Sequence, residues 1–340
     1  MENESNESVK SSQSNKQPEA PPRIVIVGSI NMDLVIRAAA IPGPGQTISG
    51  HNFATMPGGK GANQAVAAAR CGGWISLIGR VGNDDFGQRL MLGLKANQVD
   101  TSSVMVCEGV STGVATIIVN DIGENAICVA GGANLMVSVD DVEEQAEVIK
   151  RADLILVQLE IPQQTVVHVI RMAHEHNIPV ILNPAPVSQE IHPSIYEADV
   201  LIPNQDETTR LCGEPASDMH SAKLAGSALA ARGARVVVVT MGRRGAIAIT
   251  QEHIFQVQPF NTDIVDTTGA GDAFCGAFAV ACARELKTRA INIKQGIPVD
   301  ILKNATRFAA AAGALACKKF GGQSSMPHLK TIERLLQRTC

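Results

Sequence analysis

Short runs of Val, Ile and Leu alternate along this chain with longer segments of helical periodicity. The runs fall at 23–27, 75–78, 154–157, 179–182, 200–202 and 236–240. Between them, apolar residues recur at helical spacing over 61–70, 86–96, 139–150, 163–176 and 220–232. Two parallel strands need a crossover long enough to hold a helix. This spacing therefore predicts βαβ units and a mostly parallel sheet covered by helices on both faces. Ligands on such sheets sit at the carboxyl ends of the strands.

Two regions break the rhythm. Segments 33–37 and 47–56, separated by Pro42-Gly43-Pro44-Gly45, read as extended strands joined by a turn. Segments 113–120 and 125–129, separated by Asp121-Ile122-Gly123-Glu124, read as a hairpin. The four make a small separate sheet, a lid built from about 33–57 and 110–131 on a domain spanning 23–340. Residues 1–22 are rich in Glu, Asn, Ser, Gln and Lys and read as a disordered tail.

At 340 residues the chain has room for one large α/β domain or two smaller ones. Its hydrophobic content of 45% against 18% charged residues describes a globular protein with a sizeable core. A net charge of −4 without a basic run argues against bulk nucleic-acid binding. No run reaches the about 18 apolar residues of a membrane span. The N-terminus lacks the apolar core of a secretory signal, and its acidic residues do not suit a transit peptide. The expected location is the cytoplasm, with the nucleus compatible and an organelle left open. Eight cysteines are scattered without a C-x-x-C pair. Cys71, Cys128, Cys275, Cys282 and Cys317 sit in apolar segments and read as buried free thiols.

The chemistry concentrates at strand ends. Asp266-Thr267-Thr268-Gly269-Ala270-Gly271-Asp272 reads as a strand over 262–265, a glycine turn, and a helix from near Ala270. A helix N-terminus presents unpaired N–H groups and about half a positive charge, an anion site into which glycine lets the backbone approach. A carboxylate there, Asp272, repels phosphate but suits a base for a hydroxyl attacking phosphorus. Asp in a plain helix first turn is the competing explanation.

Asn31 and Asp33 alternate along a strand end and offer an amide and a carboxylate on one face, suited to a polyol; a turn held by Asx hydrogen bonds competes. Gly58-Gly59-Lys60-Gly61-Ala62-Asn63 opens an alanine-rich helix but lacks Walker A spacing. A small hydroxylated ligand held by backbone N–H and Asn63 fits it better. Glu160 ends a strand and is a candidate ligand for hydroxyls. Asn204 and Glu207, three apart at a helix start, serve either as a capping box or to organise Mg²⁺, its waters and phosphates. Thr240-Met241-Gly242-Arg243-Arg244-Gly245 is a strand-end turn suited to a nucleotide.

Together, in this order, these motifs resemble the ribokinase-like (PfkB) family of carbohydrate and nucleoside kinases. Gly58-Gly59, Asn204 to Glu207 and Asp266 to Asp272 match its motifs, over 23 to about 336. Asn31-x-Asp33, the stretch 58–65 and Asn183-Pro184-Ala185-Pro186 look most like its ribose-phosphorylating branch. The resemblance implies a three-layer α/β/α fold with a β lid, and phosphorylation of D-ribose at its 5-hydroxyl by ATP, giving D-ribose 5-phosphate and ADP. It implies that Asn31, Met32, Asp33, Gly59, Lys60, Gly61, Ala62, Asn63 and Glu160 hold ribose. Asn204, Glu207, residues Thr240 to Gly245 and Gly271 would serve ATP. Gly269, Ala270 and Gly271 would form the anion hole and Asp272 would be the base. It further implies Mg²⁺, and a K⁺ site from Asp266, Thr268, Ala316, Lys319, Gly321 and Ser325, several through carbonyls. Ala310 departs from relatives that carry His near the adenine.

The open edges of lid strands are seldom left bare, so two lids are expected to pack in a homodimer. Three rivals remain. One is a relative acting on deoxyribose, a nucleoside or fructose. Another is an idle sugar-binding protein, which would not need Asp272 and a full anion hole. The third is a dinucleotide oxidoreductase, opposed by the absence of G-x-G-x-x-G after the first strand.

Overall fold

The computed structural model describes residues 20–293 and 296–339. In chain order the strands are β1 (Arg23–Val27), β2 (Asn31–Ala38), β3 (Gly50–Gly58), β4 (Trp74–Gly82), β5 (Val99–Asp100), β6 (Val104–Cys107) and β7 (Gly113–Val119). They continue with β8 (Asn125–Ala130), β9 (Leu154–Gln158), β10 (Val180–Asn183), β11 (Val200–Leu201), β12 (Val236–Thr240), β13 (Ala246–Thr250) and β14 (Ile254–Val257). The helices are α1 (Lys60–Arg70), α2 (Asp85–Ala96), α3 (Val139–Glu144), α4 (Ala146–Lys150), α5 (Gln163–Glu175) and α6 (Gln205–Cys212). After them come α7 (Met219–Ala230), α8 (Ala270–Thr288), α9 (Val299–Ala316), α10 (Gly322–Ser325) and α11 (Leu329–Arg338).

The large sheet runs β14-β13-β12-β11-β10-β9-β1-β4-β5, with β6 also on β4. From β12 across to β4 its pairs are parallel, and β13 and β14 close one edge antiparallel. Side chains alternate across each central strand and feed two cores. Ile24, Ile26, Leu154, Leu156, Val236 and Val238 face one side with α1, α8 and α9. Val25, Val27, Ile155, Val157, Val237 and Val239 face the other with α5 and α7. That period of two, with apolar residues at both phases, is why these strands read as continuous hydrophobic runs. The layers are α/β/α.

Alanine dominates α1, α8 and α9, and this lets the helices approach closely. A Cβ on Gly276 of α8 would lie 2.7 Å from the Gln64 carbonyl oxygen of α1, so the two backbones pack against each other directly.

The second sheet runs β3-β2-β7-β8, with β2 and β7 parallel and the outer pairs antiparallel. β2 follows β1 after three residues, and β3 ends one residue before α1. The small sheet is therefore tethered at the carboxyl edge of the large one.

The structure corrects several expectations. Segment 262–265 is not a strand. It has no ladder partner; the N–H groups of Val265 and Asp266 donate to the Cys317 carbonyl instead, at 2.8 and 3.2 Å. Segment 139–150 is two helices, broken at Gln145. Cys71, Cys275 and Cys282 are buried as expected, but Cys128 is exposed on β8 and Cys317 only half-buried; all the described cysteines are free. The anticipated tail lies outside the described residues except for 20–22, where the Pro22 carbonyl accepts from Trp74 N–H. No described helix is long and apolar enough to cross a membrane.

Candidate active site

The turn before α8 is fixed by its own first residue. Asp266 Oδ1 accepts from Thr268 N–H and Thr268 Oγ1 at 2.9 and 2.7 Å, and Oδ2 accepts from Gly321 N–H at 2.8 Å. Gly269 caps the helix in the left-handed region, φ 76°, which glycine adopts without cost. Ala270 N–H turns back to the Thr267 carbonyl at 3.2 Å. Of the expected anion hole Gly269 to Gly271, Ala270 N–H is thus engaged, and the first-turn N–H groups of Gly271 and Asp272 form the open end of a helix of 19 residues. A Cβ on Gly271 would meet no protein atom within 4 Å, so packing does not require glycine there, whereas a ligand seated at the helix end would.

Asp272 itself is buried. Asn63 Nδ2 donates to its Oδ2 at 2.9 Å and Gln64 Nε2 to its Oδ1 at 3.0 Å. Burial raises its pKa above the ordinary carboxylate value; Lys60, Asn63 and Gln64 oppose that rise and Glu160 adds to it. The result is a carboxylate held near the helix end with a basicity greater than that of an exposed Asp.

Four charged groups share its field. Burial disfavours a charged Lys60, but Asp272, Glu160, Glu207 and Cys275 more than offset this and its pKa rises. Asp33 is pushed up to about 7 by burial, then by Glu160 and Asp272. Glu160 Oε2 accepts from Ser29 Oγ at 2.5 Å and from the Lys60 backbone N–H at 3.0 Å. Glu207 is raised mainly by burial, with Asn204 and Lys60 opposing.

The glycines before α1 let these groups converge. Cβ atoms would lie 2.2 Å from Asp33 Oδ1 at Gly58, 2.6 Å from Asn31 N at Gly59, and 2.6 Å from the Gly28 carbonyl carbon at Gly61. Gly59 also has φ 85°. Packing thus accounts for these three glycines, while Lys60 and Asn63 face Asp272.

Beside α8 lies a cleft of ≈ 620 Å³. Asn204, Thr240, Gly242, Arg243 and Gly245 line it, with Ala270 and Gly271. Asn204 and Glu207 form the capping box: Asn204 Oδ1 accepts from Glu207 N–H, and Glu207 Oε2 from Asn204 N–H, both at 2.8 Å. Ala310 and Phe274 also line the cleft, as do Pro259 to Thr262. Of this connector the sequence offers no signal at Pro259 to Asn261, which carry no periodicity, and Thr262 opens the segment expected as a strand.

Some named residues face elsewhere. Met32, Ala62, Met241 and Ala316 have their side chains in the cores, so only their backbone is available to a ligand. Ala62 N–H already donates to the Ser29 carbonyl. The Asn31 side-chain oxygen accepts from Asn134 Nδ2 at 2.6 Å. Arg244 is exposed outside the cleft lining. Ser29, Asn134, Gln64, Gln158 and Asn183, which organise the site, were missed as a group. Their sequence signal is polar residues placed inside otherwise apolar or alanine-rich segments.

The family model for pfkB family carbohydrate kinases matches residues 21–329. The chain belongs to that family. Among its relatives, a Bacillus subtilis ribokinase is 37% identical over 317 residues, covering 92% of this chain and 99% of that protein. A mouse ribokinase is 35% identical, covering 93% and 95%. A Salmonella typhi deoxyribokinase is 34% identical, covering 92% and 98%. The Arabidopsis thaliana ribokinase structure, complexed with ribose and ATP, aligns at TM-score 0.81 with 32% identity, covering 94% and 99%. The three-layer fold with its second small sheet is thus the ribokinase-like fold, and the chain is a phosphotransferase of the carbohydrate kinase family.

Proposed function

We propose that this kinase transfers the terminal phosphoryl group of ATP to the 5-hydroxyl of D-ribose. The observation that carries this reading is the placement of Asp272. Its carboxylate sits in the first turn of α8, between a polar cluster of buried Asn63 and half-buried Asp33, Lys60 and Glu160 and the cleft that reaches Gly271. The relatives named ribokinase, and the Arabidopsis complex with both ribose and ATP, favour that substrate pair.

Asp33, Asn63 and Glu160 offer acceptors and a donor to sugar hydroxyls. Asn63 Oδ1 is buried with no protein partner among the described residues, which suits it to accept from a hydroxyl. Asp272 takes the proton from the attacking hydroxyl, and its raised pKa improves the match to that task. The N–H groups at Gly271 and Asp272 and the α8 dipole face the charge that develops on the transferred group. Asn204 and the Thr240 to Gly245 turn hold the nucleotide in the cleft. The small sheet, carrying Asp33 and ending at Gly58, acts as the lid on a single domain from about 23 onward, which excludes water from the sugar.

Two ions fit the residues present. Glu207 supplies hard oxygen beside Asn204, suited to the water shell of Mg²⁺, which when bound neutralises phosphate charge. Asp266 and Gly321 are bonded to each other, and Thr268, Ala316, Lys319 and Ser325 belong to the same two segments. One carboxylate among hydroxyls and carbonyls suits a monovalent cation, K⁺, which when bound stiffens the turn beneath the anion hole.

Ile127 and Val129 on β8 and Phe53 on β3 are exposed at 57%, 52% and 59%. By register Ile127 and Val129 share the face of Asp33 and Phe53 lies on the opposite one; such exposed apolar side chains on both faces of the lid support a homodimer through the lids. Sedimentation showing only monomer at micromolar concentration would remove that element. The location proposed is the cytoplasm.

The deciding assay is ADP formation from ATP and Mg²⁺ with ribose, deoxyribose, fructose or adenosine, each in K⁺ or Na⁺. Ribose preference with K⁺ activation is expected. Preference for deoxyribose, the named substrate class of one relative, would overturn the sugar assignment while leaving the mechanism.

A further inference from the structure

Beneath Asp272 lies a line of buried amides that forms no part of the cleft lining. It crosses the carboxyl ends of three neighbouring parallel strands. Gln158 ends β9, Asn183 ends β10 directly opposite it, and Ile202 follows β11. Gln158 Nε2 donates to Gln64 Oε1 at 2.7 Å. Gln64 Nε2 donates both to Asn183 Oδ1 at 3.1 Å and to Asp272 Oδ1 at 3.0 Å. Asn183 Nδ2 donates to the Ile202 carbonyl at 2.9 Å. Gln64 and Gln158 are wholly buried and Asn183 nearly so.

The polarity of this line is dictated from one end. The Ile202 carbonyl only accepts, so Asn183 must turn its NH₂ toward it and its oxygen toward Gln64. That oxygen requires the Gln64 NH₂, which then also points at Asp272. A flipped Gln64 would set its oxygen against two other oxygens, Asn183 Oδ1 and Asp272 Oδ1. In a buried site that mismatch costs the full desolvation of the unpaired groups.

We propose that Gln64 is a positioning residue for phosphoryl transfer: its NH₂, oriented by Asn183 and the Ile202 carbonyl, fixes the rotation of the Asp272 carboxylate and keeps it ionised. This rests on the reading of Asp272 as proton acceptor. Two donors, Asn63 and Gln64, grip the two oxygens of Asp272 separately, so the carboxylate plane is fixed as well as its charge. The charged and titratable groups facing Asp272 are Lys60 from the start of α1, Glu160 after β9, Asp33 on β2, Glu207 on α6 and Cys275 on its own helix. Of these only Lys60 favours the ionised form, so the amide donors carry the rest of that task.

The test is turnover against pH at saturating sugar and ATP, with sugar KM at each pH, for wild type, Gln64→Met, Gln64→Glu and Asn183→Leu. Gln64→Met removes the donor at similar length. The acid limb of kcat is expected to move up by about one pH unit, with kcat at neutral pH falling about tenfold and sugar KM changing much less. Gln64→Glu, nearly identical in volume, keeps the contact to Gln158 but brings a second carboxyl to Asp272, so the limb moves further the same way. It carries the test if the Met variant does not fold. Asn183→Leu, which does not touch Asp272, is expected to shift the limb in the same direction by less. Lower thermal stability in all three with an unmoved acid limb would overturn the proposal and leave the amides a purely structural role. An Asp272→Asn enzyme that keeps its turnover would overturn the base assignment itself, a result the Gln64 variants do not produce.

Discussion

Asn63 and Asp272 meet across 209 residues of chain, Asn63 Nδ2 lying 2.9 Å from Asp272 Oδ2. The contact joins the first turn of α1 to the first turn of α8. It requires the close approach of those helices that alanine and Gly276 permit. Polar side chains at both helix starts thus reach one point at the carboxyl edge of the sheet.

Asp272→Asn retains the shape of the site and removes the proton acceptor. Turnover is expected to fall by roughly 10²–10⁴, the range for a lost general base, with sugar binding nearly unchanged by calorimetry. A loss under about tenfold would contradict the role.

The wild-type pH profile follows from the direction of the Asp272 shift. The base works only when ionised, and its pKa lies above the ordinary value of 3.8. Turnover is expected to fall as pH drops through that raised pKa, so the acid limb sits above the range of an exposed Asp. An acid limb at the ordinary value in kcat would argue against a buried base.

Asp33 links pH to stability in the opposite sense from a paired carboxylate. Its folded pKa of about 7 exceeds the ordinary 3.8, so between those values the folded state binds more protons than the unfolded one. Stability from this group therefore falls as pH rises across that window. Asp33→Asn is expected to melt a few degrees higher than wild type at about pH 8, with the gap closing toward about pH 4. The same variant should weaken sugar binding. An equal melting gap at both pH values would exclude the linkage.

Glycine substitutions separate packing from ligand approach. Gly61→Ala forces a Cβ within 2.6 Å of the Gly28 backbone, and a loss of about 1–3 kcal/mol is expected. Gly271→Ala meets no neighbour within 4 Å and gains helix propensity, so stability should hold or rise slightly. Its turnover or ATP KM should suffer, because the new methyl occupies the mouth of the anion hole. Thermal melts beside ATP kinetics check both.

Asn204→Ala removes half of the α6 capping box. A stability loss of about 1 kcal/mol is expected, along with a raised ATP KM from the lost cleft contact. An unchanged KM would confine Asn204 to capping.

What the sequence by itself determined was local. Apolar runs filled on both phases required a strand buried on two faces. Asn204 and Glu207 bonded as a cap because three residues is one helical turn. Gly269 took the left-handed turn that opens α8. Only the tertiary structure decided what depends on distant partners. Segment 262–265 has strand-like composition, yet it joins no described ladder and its Val265 N–H bonds the Cys317 carbonyl. Cys128 lies in an apolar run, but on the edge strand β8 of the small sheet, and is exposed. Gln64, Gln158 and Asn183 look like any amides in sequence. Their role comes from being sealed from water with one carbonyl to orient them, and that is a property of packing between segments 94 to 208 residues apart.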